Sequence, residues 1–238
     1  MKKYAIISFV VLVAIGIFII LTNYYLPLTN KTAVDTFNIG NYDQCVNDYI
    51  YIFPNDVEKI KKNCELEKLI IEKPEEFKNY LNAGYEWKNF GERNPTLNRV
   101  FFDRSIAVYT MANEKFPAKY LTSWNLAHLY KSLGDKDNAL KYFQMAIANN
   151  DLDPEPYLAI AEFYRYDLNK DSNFMISFYE KAIKDAAFGP ESLMDNYAKY
   201  LYDIKDYDRA LIWLEKLETK FPGQYAEMIK EVEAQQIN

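Results

Sequence analysis

Residues 121–146 read LTSWNLAHLYKSLGDKDNALKYFQMA, and their spacing predicts two short helices joined by a turn at Gly134. Small and apolar residues on each side of the turn recur at intervals of three and four, which places them on one face of a helix. They are Leu126, Ala127 and Tyr130 before Gly134, and Ala139, Phe143 and Ala146 after it. A hairpin of this size cannot bury its apolar face alone, so it needs a neighbour of the same shape.

The sequence supplies such neighbours. The small–aromatic–small triple of the second helix recurs three times with the same internal spacing: Ser105/Tyr109/Ala112, Met175/Tyr179/Ala182 and Ala210/Leu214/Leu217. The first members of successive triples are 34, 36 and 35 residues apart. A fixed period in this range, with a helix–turn–helix inside each unit, is typical of a solenoid.

These positions resemble the tetratricopeptide repeat. The matching first-helix and turn positions are Gly84, Trp87 and Gly91, then Leu126, Ala127, Tyr130 and Gly134, then Ile160, Ala161 and Tyr164, and finally Tyr197, Ala198 and Leu201, with Pro117 and Pro222 ending two units. The resemblance covers residues 75–222. It implies an all-α fold, a right-handed superhelical solenoid of four units. The unit at 154–189 has two extra residues before Lys170, and Lys170 and Lys205 stand where the pattern has a turn glycine.

Two further features of the repeat region lead to local predictions. Gly40, Gly91 and Gly134 are expected at turns between helices, as in an all-helical chain. Residues 93–101 exceed the repeat pattern, and apolar residues continue through them at helical spacing. We therefore expect extra helical turns here with Thr96 as a cap, and contact of this insertion with a partner stays open as an alternative.

The regions outside the repeats are expected to be mainly helical. Residues 26–74 predict a linker, a degenerate first hairpin and an extra helix. In that hairpin Gly40 is the turn and Cys45, Tyr49 and Ile52 continue the repeat spacing. The extra helix at 57–71 carries an apolar stripe: Val57, Ile60, Cys64, Leu66 or Leu69, and Ile70. Residues 223–238 predict a polar C-terminal capping helix.

The N-terminus predicts a membrane anchor. Tyr4–Leu21 contains no charged residue, and 18 helical residues would span about 27 Å, close to the ~30 Å hydrocarbon core. We expect residues 1–25 to form a single transmembrane helix. Lys2 and Lys3 precede the span, which places the repeats on the extracytoplasmic side of the cell membrane. The alternative is a cleaved signal peptide, although no A-x-A-like site follows the apolar run.

Cys45 and Cys64 lie 19 residues apart in consecutive predicted helices. In an oxidising compartment they could form a disulfide, and the alternative is two buried thiols. The spacing does not decide between the two. With a single histidine in the chain, these cysteines do not predict a zinc site.

The sequence contains no pattern that indicates catalysis. It has no phosphate-binding glycine loop and no HExxH motif, and His128 has no nucleophile and acid arranged around it. We therefore expect no enzyme activity, no cofactor and no metal. The formal net charge of −6 disfavours nucleic acid as a partner.

The resemblance implies that the first helix of each unit lines a concave, partner-binding face. By position, the residues expected there are Tyr85, Lys88, Asn89, Trp124, His128, Lys131, Arg165, Tyr166, Lys199 and Tyr202. We expect a membrane-anchored scaffold that binds a protein or peptide partner, in cell-envelope assembly. The alternative is an envelope accessory protein or enzyme that binds a small ligand or glycan in a tyrosine-lined groove.

Overall fold

A computed structural model describes residues 37–149, 153–186 and 188–236. Helices α1 to α11 make up this part of the chain, and no strand occurs in it. Their bounds are α1 Tyr42–Ile50, α2 Val57–Glu72, α3 Phe77–Arg93, α4 Asn98–Lys115, α5 Tyr120–Ser132, α6 Lys136–Asn149, α7 Glu155–Glu162 with a π-helical continuation Phe163–Asp167, α8 Ser172–Asp185, α9 Pro190–Asp203, α10 Tyr207–Lys220 and α11 Ala226–Gln236.

None of these helices is long and apolar enough to cross a bilayer. The span predicted at 1–25 lies outside the described residues.

Consecutive helices pack as hairpins, and each hairpin packs on the next. The four repeat hairpins are α3/α4, α5/α6, α7/α8 and α9/α10, and α11 packs on the last of them. All twelve side chains of the four repeated triples are buried, with at most 1% exposed. The residues that the sequence predicted to repeat are therefore residues of the core. Together with the stacked hairpins, this confirms the predicted helical solenoid.

Close approach of α3 and α4 explains the two glycines in α3. A Cβ atom on Gly84 would meet the Tyr109 ring at 2.5 Å, so only glycine lets that ring lie against the helix. Gly91 was predicted at a turn, and this was wrong. It lies inside α3, where a Cβ atom would meet the Phe102 ring at 2.8 Å. Both glycines thus lie inside α3 and allow α4 to pack closely against it.

The turns between paired helices use left-handed backbone. Gly134 ends the α5/α6 turn with φ +75°, and Lys205 has φ +63° at the α9/α10 turn. In the unit with two extra residues the left-handed residue is Asn169, with φ +48°, and not the predicted Lys170. Left-handed backbone is unfavourable for a residue with a side chain, such as Lys205. A hydrogen bond in this turn offsets the cost, because the Asp206 amide donates to the Leu201 carbonyl at 2.8 Å.

The insertion at 93–101 adds helical residues, as predicted: Arg93 ends α3, residues 98–101 begin α4, and residues 94–97 form the turn between them. It lengthens α3 to 17 residues and α4 to 18, whereas α5 and α6 have 13 and 14. Thr96 does not cap α4, because the residue preceding the helix is Leu97, which makes no side-chain cap bond.

Helices α1 and α2 cover the N-terminal side of α3. A disulfide joins Cys45 in α1 to Cys64 in α2, with a Cα–Cα distance of 5.7 Å, and this settles the alternative that the sequence left open. Tyr49 is buried between the rings of Trp87 and Phe101, with ring centroids 5.3 Å away in both cases. Ile52 was predicted to continue this packing but lies beyond the end of α1 and is 47% exposed.

A buried ion pair connects α2 to α4. Glu67 and Arg104 are at most 1% exposed, and two parallel hydrogen bonds of 2.6 and 2.7 Å join the guanidinium group to the carboxylate. Trp87 Nε1 donates a third bond of 2.6 Å to the same carboxylate. Burial disfavours the charged form of Arg104, but the hydrogen bonds and charge of Glu67 outweigh it, and the pKa of Arg104 is raised. Arg104 is therefore charged in the core, where it is hydrogen-bonded to Glu67.

Removing one partner of this pair would leave the other charge buried without compensation. We expect Arg104→Met to lower the free energy of unfolding by about 3–5 kcal/mol. Adding Glu67→Gln, which retains an acceptor for Trp87, should recover most of this loss. Urea unfolding followed by circular dichroism measures both effects.

The matched control is Arg99→Met, which breaks the solvent-accessible Arg99–Asp103 pair in the same helix. Its expected effect is at most about 1 kcal/mol. If Arg104→Met were no more destabilising than Arg99→Met, the buried pair would not have the role assigned to it.

Candidate partner-binding face

The ten residues predicted for partner binding all lie on the first helices of the four repeat hairpins. Tyr85, Lys88 and Asn89 are on α3, Trp124, His128 and Lys131 on α5, Arg165 and Tyr166 on the π-helical end of α7, and Lys199 and Tyr202 on α9. None of the ten is buried, although neighbouring positions on the same helices form the core. We call the accessible side of α3, α5, α7 and α9 that carries them the first-helix face.

An aromatic cluster surrounds His128 on this face. The Trp124 ring lies 4.7 Å from the imidazole ring, and the Phe143 ring lies 5.3 Å from it, both measured between centroids. The Nε2 atom of His128 is buried and has no hydrogen-bond partner. The imidazole thus packs as a ring and leaves one polar atom unsatisfied.

The charges of two lysines act on the same imidazole, Lys131 from its own helix and Lys88 from α3. Burial is the main cause that lowers the pKa of His128, and the charges of Lys131 and Lys88 lower it further, to about 4. His128 is therefore neutral at neutral pH. The charge at this point of the face comes from Lys88 and Lys131.

Polar contacts join α5, α7, α9 and α11 in succession. Lys131 Nζ lies 3.4 Å from Asp167 Oδ2, which joins α5 to the end of α7. An Arg165–Asp203 ion pair of 2.8 Å joins α7 to α9. The Tyr202 hydroxyl donates a bond of 2.7 Å to Glu231, which joins α9 to α11. These side chains therefore form one continuous row.

The π-helical turn Phe163–Asp167 carries the residues that the third hairpin contributes to the first-helix face. A π-helical turn accommodates extra residues within a helix, in agreement with the length excess noted in the sequence of this unit. The Arg165 guanidinium group stacks over Tyr166 at 4.8 Å and over Tyr200 at 5.1 Å. Tyr166 is 65% exposed and Tyr85 is 54% exposed, so both rings are available to a partner.

The remaining predicted residues pair locally or have no described role. Lys88 pairs with Glu92 at 2.9 Å, and Lys199 pairs with Asp195 at 2.7 Å, each within its own helix. Asn89 is half-buried beside Lys88.

Sequence reasoning missed the acidic partners of the row, Asp167, Asp203 and Glu231. A signal for two of them exists in the sequence. Lys131 and Asp167 are 36 residues apart and Arg165 and Asp203 are 38, so opposite charges recur at about one repeat length.

Other candidate sites in the described residues do not coincide with this face. No group of three or more His, Cys, Asp or Glu side chains in the described ranges could hold a metal ion. An open cleft of about 590 Å³ lies between the start of α8, the α9/α10 turn and the end of α11. None of the ten predicted residues lines it.

The lowered pKa of His128 predicts a pH dependence of stability. Because its folded pKa of about 4 lies below the ordinary 6.5, the stability that neutral His128 contributes is fully present above pH 6.5. It should be lost progressively as the pH falls from 6.5 towards 4. NMR titration of this single imidazole measures the pKa directly, and His128→Gln should flatten the stability profile between pH 6.5 and 5. A midpoint near 6.5 in the folded protein would contradict the described environment.

Comparison with known proteins supports the repeat fold. A family model described as a tetratricopeptide repeat matches residues 125–155. A comparison with curated protein sequences gives no significant match. The solved structure of a monomeric IFIT1 mutant with Gppp-AAAA is similar with a TM-score of 0.55 and 18% identity, over 81% of this chain and 46% of that chain. The present chain thus spans about half the length of the IFIT1 chain.

A second similar structure is a tetratricopeptide repeat protein from Parabacteroides merdae ATCC 43184. It has a TM-score of 0.50 and 15% identity, over 80% of this chain and 72% of that chain. At these identities the likeness concerns the fold. The chain therefore contains a tetratricopeptide repeat at residues 125–155, and the described helices have the fold of a tetratricopeptide-repeat solenoid.

Proposed function

We propose that the protein is a non-catalytic scaffold that binds an extended peptide or partner protein on the first-helix face. The observation that carries the proposal is the set of accessible aromatic and cationic side chains on the first helices of four hairpins, joined by polar contacts from α5 to α11. Such residues dominate the energetics of protein interfaces. The tetratricopeptide-repeat fold supports the proposal, because its first helices form one extended surface suited to an extended ligand.

Nucleic acid is not part of the proposal, although the IFIT1 structure contains Gppp-AAAA. The chain carries a formal net charge of −6. Lys131 and Arg165 on the first-helix face are already paired with carboxylates. A phosphate backbone requires an excess of positive charge that this face does not offer.

The exposed rings of Tyr85 and Tyr166 provide the sharpest test of the face. We expect Tyr85→Ala and Tyr166→Ala each to weaken partner binding by about 1–2 kcal/mol, or roughly 5- to 30-fold. Affinity purification of the detergent-solubilised protein, with quantitative detection of co-purifying proteins, measures the loss. The matched control is Tyr51→Ala, which removes a tyrosine that is 86% exposed and lies after α1, away from this face.

The same experiment distinguishes the runner-up function. Recovery of a stoichiometric protein that is lost in both face variants and kept in the Tyr51 variant supports the scaffold. Binding of a small ligand or glycan with no protein partner would instead favour the accessory protein or enzyme with a tyrosine-lined groove.

We also propose that the repeats are anchored in the cell membrane and lie on the extracytoplasmic side, where they act in cell-envelope assembly. The uncharged run Tyr4–Leu21 and the preceding Lys2 and Lys3 support this topology. The Cys45–Cys64 disulfide supports it independently, because disulfides persist in oxidising compartments.

The topology can be tested with a thiol introduced on the second-helix side. Gln144 in α6 is exposed, whereas Cys45 and Cys64 are paired and buried. A membrane-impermeant maleimide should therefore label Gln144→Cys in intact cells and leave the unsubstituted protein unlabelled. Labelling that appears only after lysis would place the repeats in the cytoplasm.

A further inference from the structure

Net charge changes sign along the first helices of the solenoid. Helix α3 and helix α5 each carry a net charge of +1, whereas α7 with its π-helical end, α9 and α11 each carry −2. The contributing residues are Lys78, Lys88 and Arg93 against Glu86 and Glu92 in α3, Lys131 in α5, Glu155, Glu162 and Asp167 against Arg165 in α7, Glu191, Asp195 and Asp203 against Lys199 in α9, and Glu227, Glu231 and Glu233 against Lys230 in α11.

The second helices do not share this reversal. Counted in the same way, α4 and α6 each carry +1, and α8 and α10 are neutral. The change from the N-terminal to the C-terminal half is thus three charges per first helix and one per second helix. Charge order is therefore concentrated on the first-helix side and does not follow from the composition of the whole chain.

Local structure places both signs where a partner could contact them. In the N-terminal half, Lys88 and Lys131 flank the neutral His128 and retain 24% and 31% of their side-chain exposure. In the C-terminal half, Glu162 is exposed and makes no ion pair within the described residues. Asp203 remains 50% exposed although it pairs with Arg165.

We propose that the partner segment on the first-helix face and the adjoining capping helix α11 is charge-ordered, with acidic residues against α3 and α5 and basic residues against α7, α9 and α11. This rests on the proposed function and adds the chemistry and the orientation of the bound segment. Complementary charges at the two ends fix direction, because a reversed segment would place like charges together along the whole face. Five helices spaced by about 8–10 Å span about 40 Å, which an extended segment of about 12 residues covers.

The test uses a displayed library of random peptides of about 16 residues, long enough for such a segment. Full-length protein in detergent selects binders, and only peptides that Tyr85→Ala loses are analysed. Each selected peptide is then synthesised together with a second peptide of identical composition in which the charged residues have the opposite order. Because the two peptides differ only in the order of their charges, we expect the second peptide to bind at least about tenfold more weakly than the first.

A charge-reversed protein provides the second arm. Lys88→Glu combined with Lys131→Glu should weaken binding of the original peptide by at least about tenfold, because its acidic residues would then lie against helices α3 and α5 with a net charge of −1 each. The matched control is Lys141→Glu combined with Lys184→Glu, which makes the same charge change at exposed positions on the second helices α6 and α8. Circular dichroism shows whether the first variant is folded.

The outcomes separate this inference from the proposed function. Tyr85-dependent peptides that bind equally in both charge orders would overturn the charge-ordered partner and leave the scaffold proposal intact. Failure to select any Tyr85-dependent peptide would overturn both. A preference for basic residues against α3 and α5 would also overturn the inference.

Discussion

The solenoid depends on a small residue of each first helix that lets the second helix of the same hairpin approach closely. The contact is most explicit at Gly84, which leaves room for the Tyr109 ring, and Ser105 strengthens it by donating a 2.7 Å hydrogen bond to the Gly84 carbonyl. Ala127 takes the equivalent position in the next hairpin, where it shares a core cluster with Phe143. Helices of 13 to 18 residues are marginal in isolation, so these contacts and the packing between hairpins maintain the first-helix face.

The two ends of such a stack need different solutions, because within residues 37–236, as far as they are described, each end hairpin packs on a repeat hairpin on one side only. At the C-terminal end α11 buries Val232 and directs its charged residues outward. At the N-terminal end α1 has only nine residues, too few to form a stable helix alone. The disulfide joins α1 to α2, the ring of Tyr49 packs on Trp87 and Phe101, and the buried Glu67–Arg104 pair attaches α2 to the repeats. At this end a covalent bond and charged hydrogen bonds add to the stabilisation that the small apolar surface of α1 provides.

Sequence periodicity predicted what the core requires and little of what polar groups do. The repeated triples were predictable because burial imposes the same spacing on every unit. Glu67 and Arg104 were not, because they are 37 residues apart and each resembles a solvated helix position. One signal existed: Glu67 lies three residues after Cys64, on the apolar stripe of α2. The positions of the face residues were predictable from the repeat, whereas Asp167 and Asp203 pair with cations of the preceding unit, which spacing within one unit does not reveal.

The ties between first helices also determine what binding would require. Lys131 is paired with Asp167 and Arg165 with Asp203, so both cations are directed along the face. A partner that binds these cations must therefore replace these ion pairs with its own. Exposed ion pairs contribute at most about 1 kcal/mol, and exchanging one for another therefore costs little. Holding a long cationic side chain in place, however, removes conformational entropy before the partner arrives. The same contacts thus align the row and prepare it for a ligand, which is why pairing within the chain is compatible with a role in recognition.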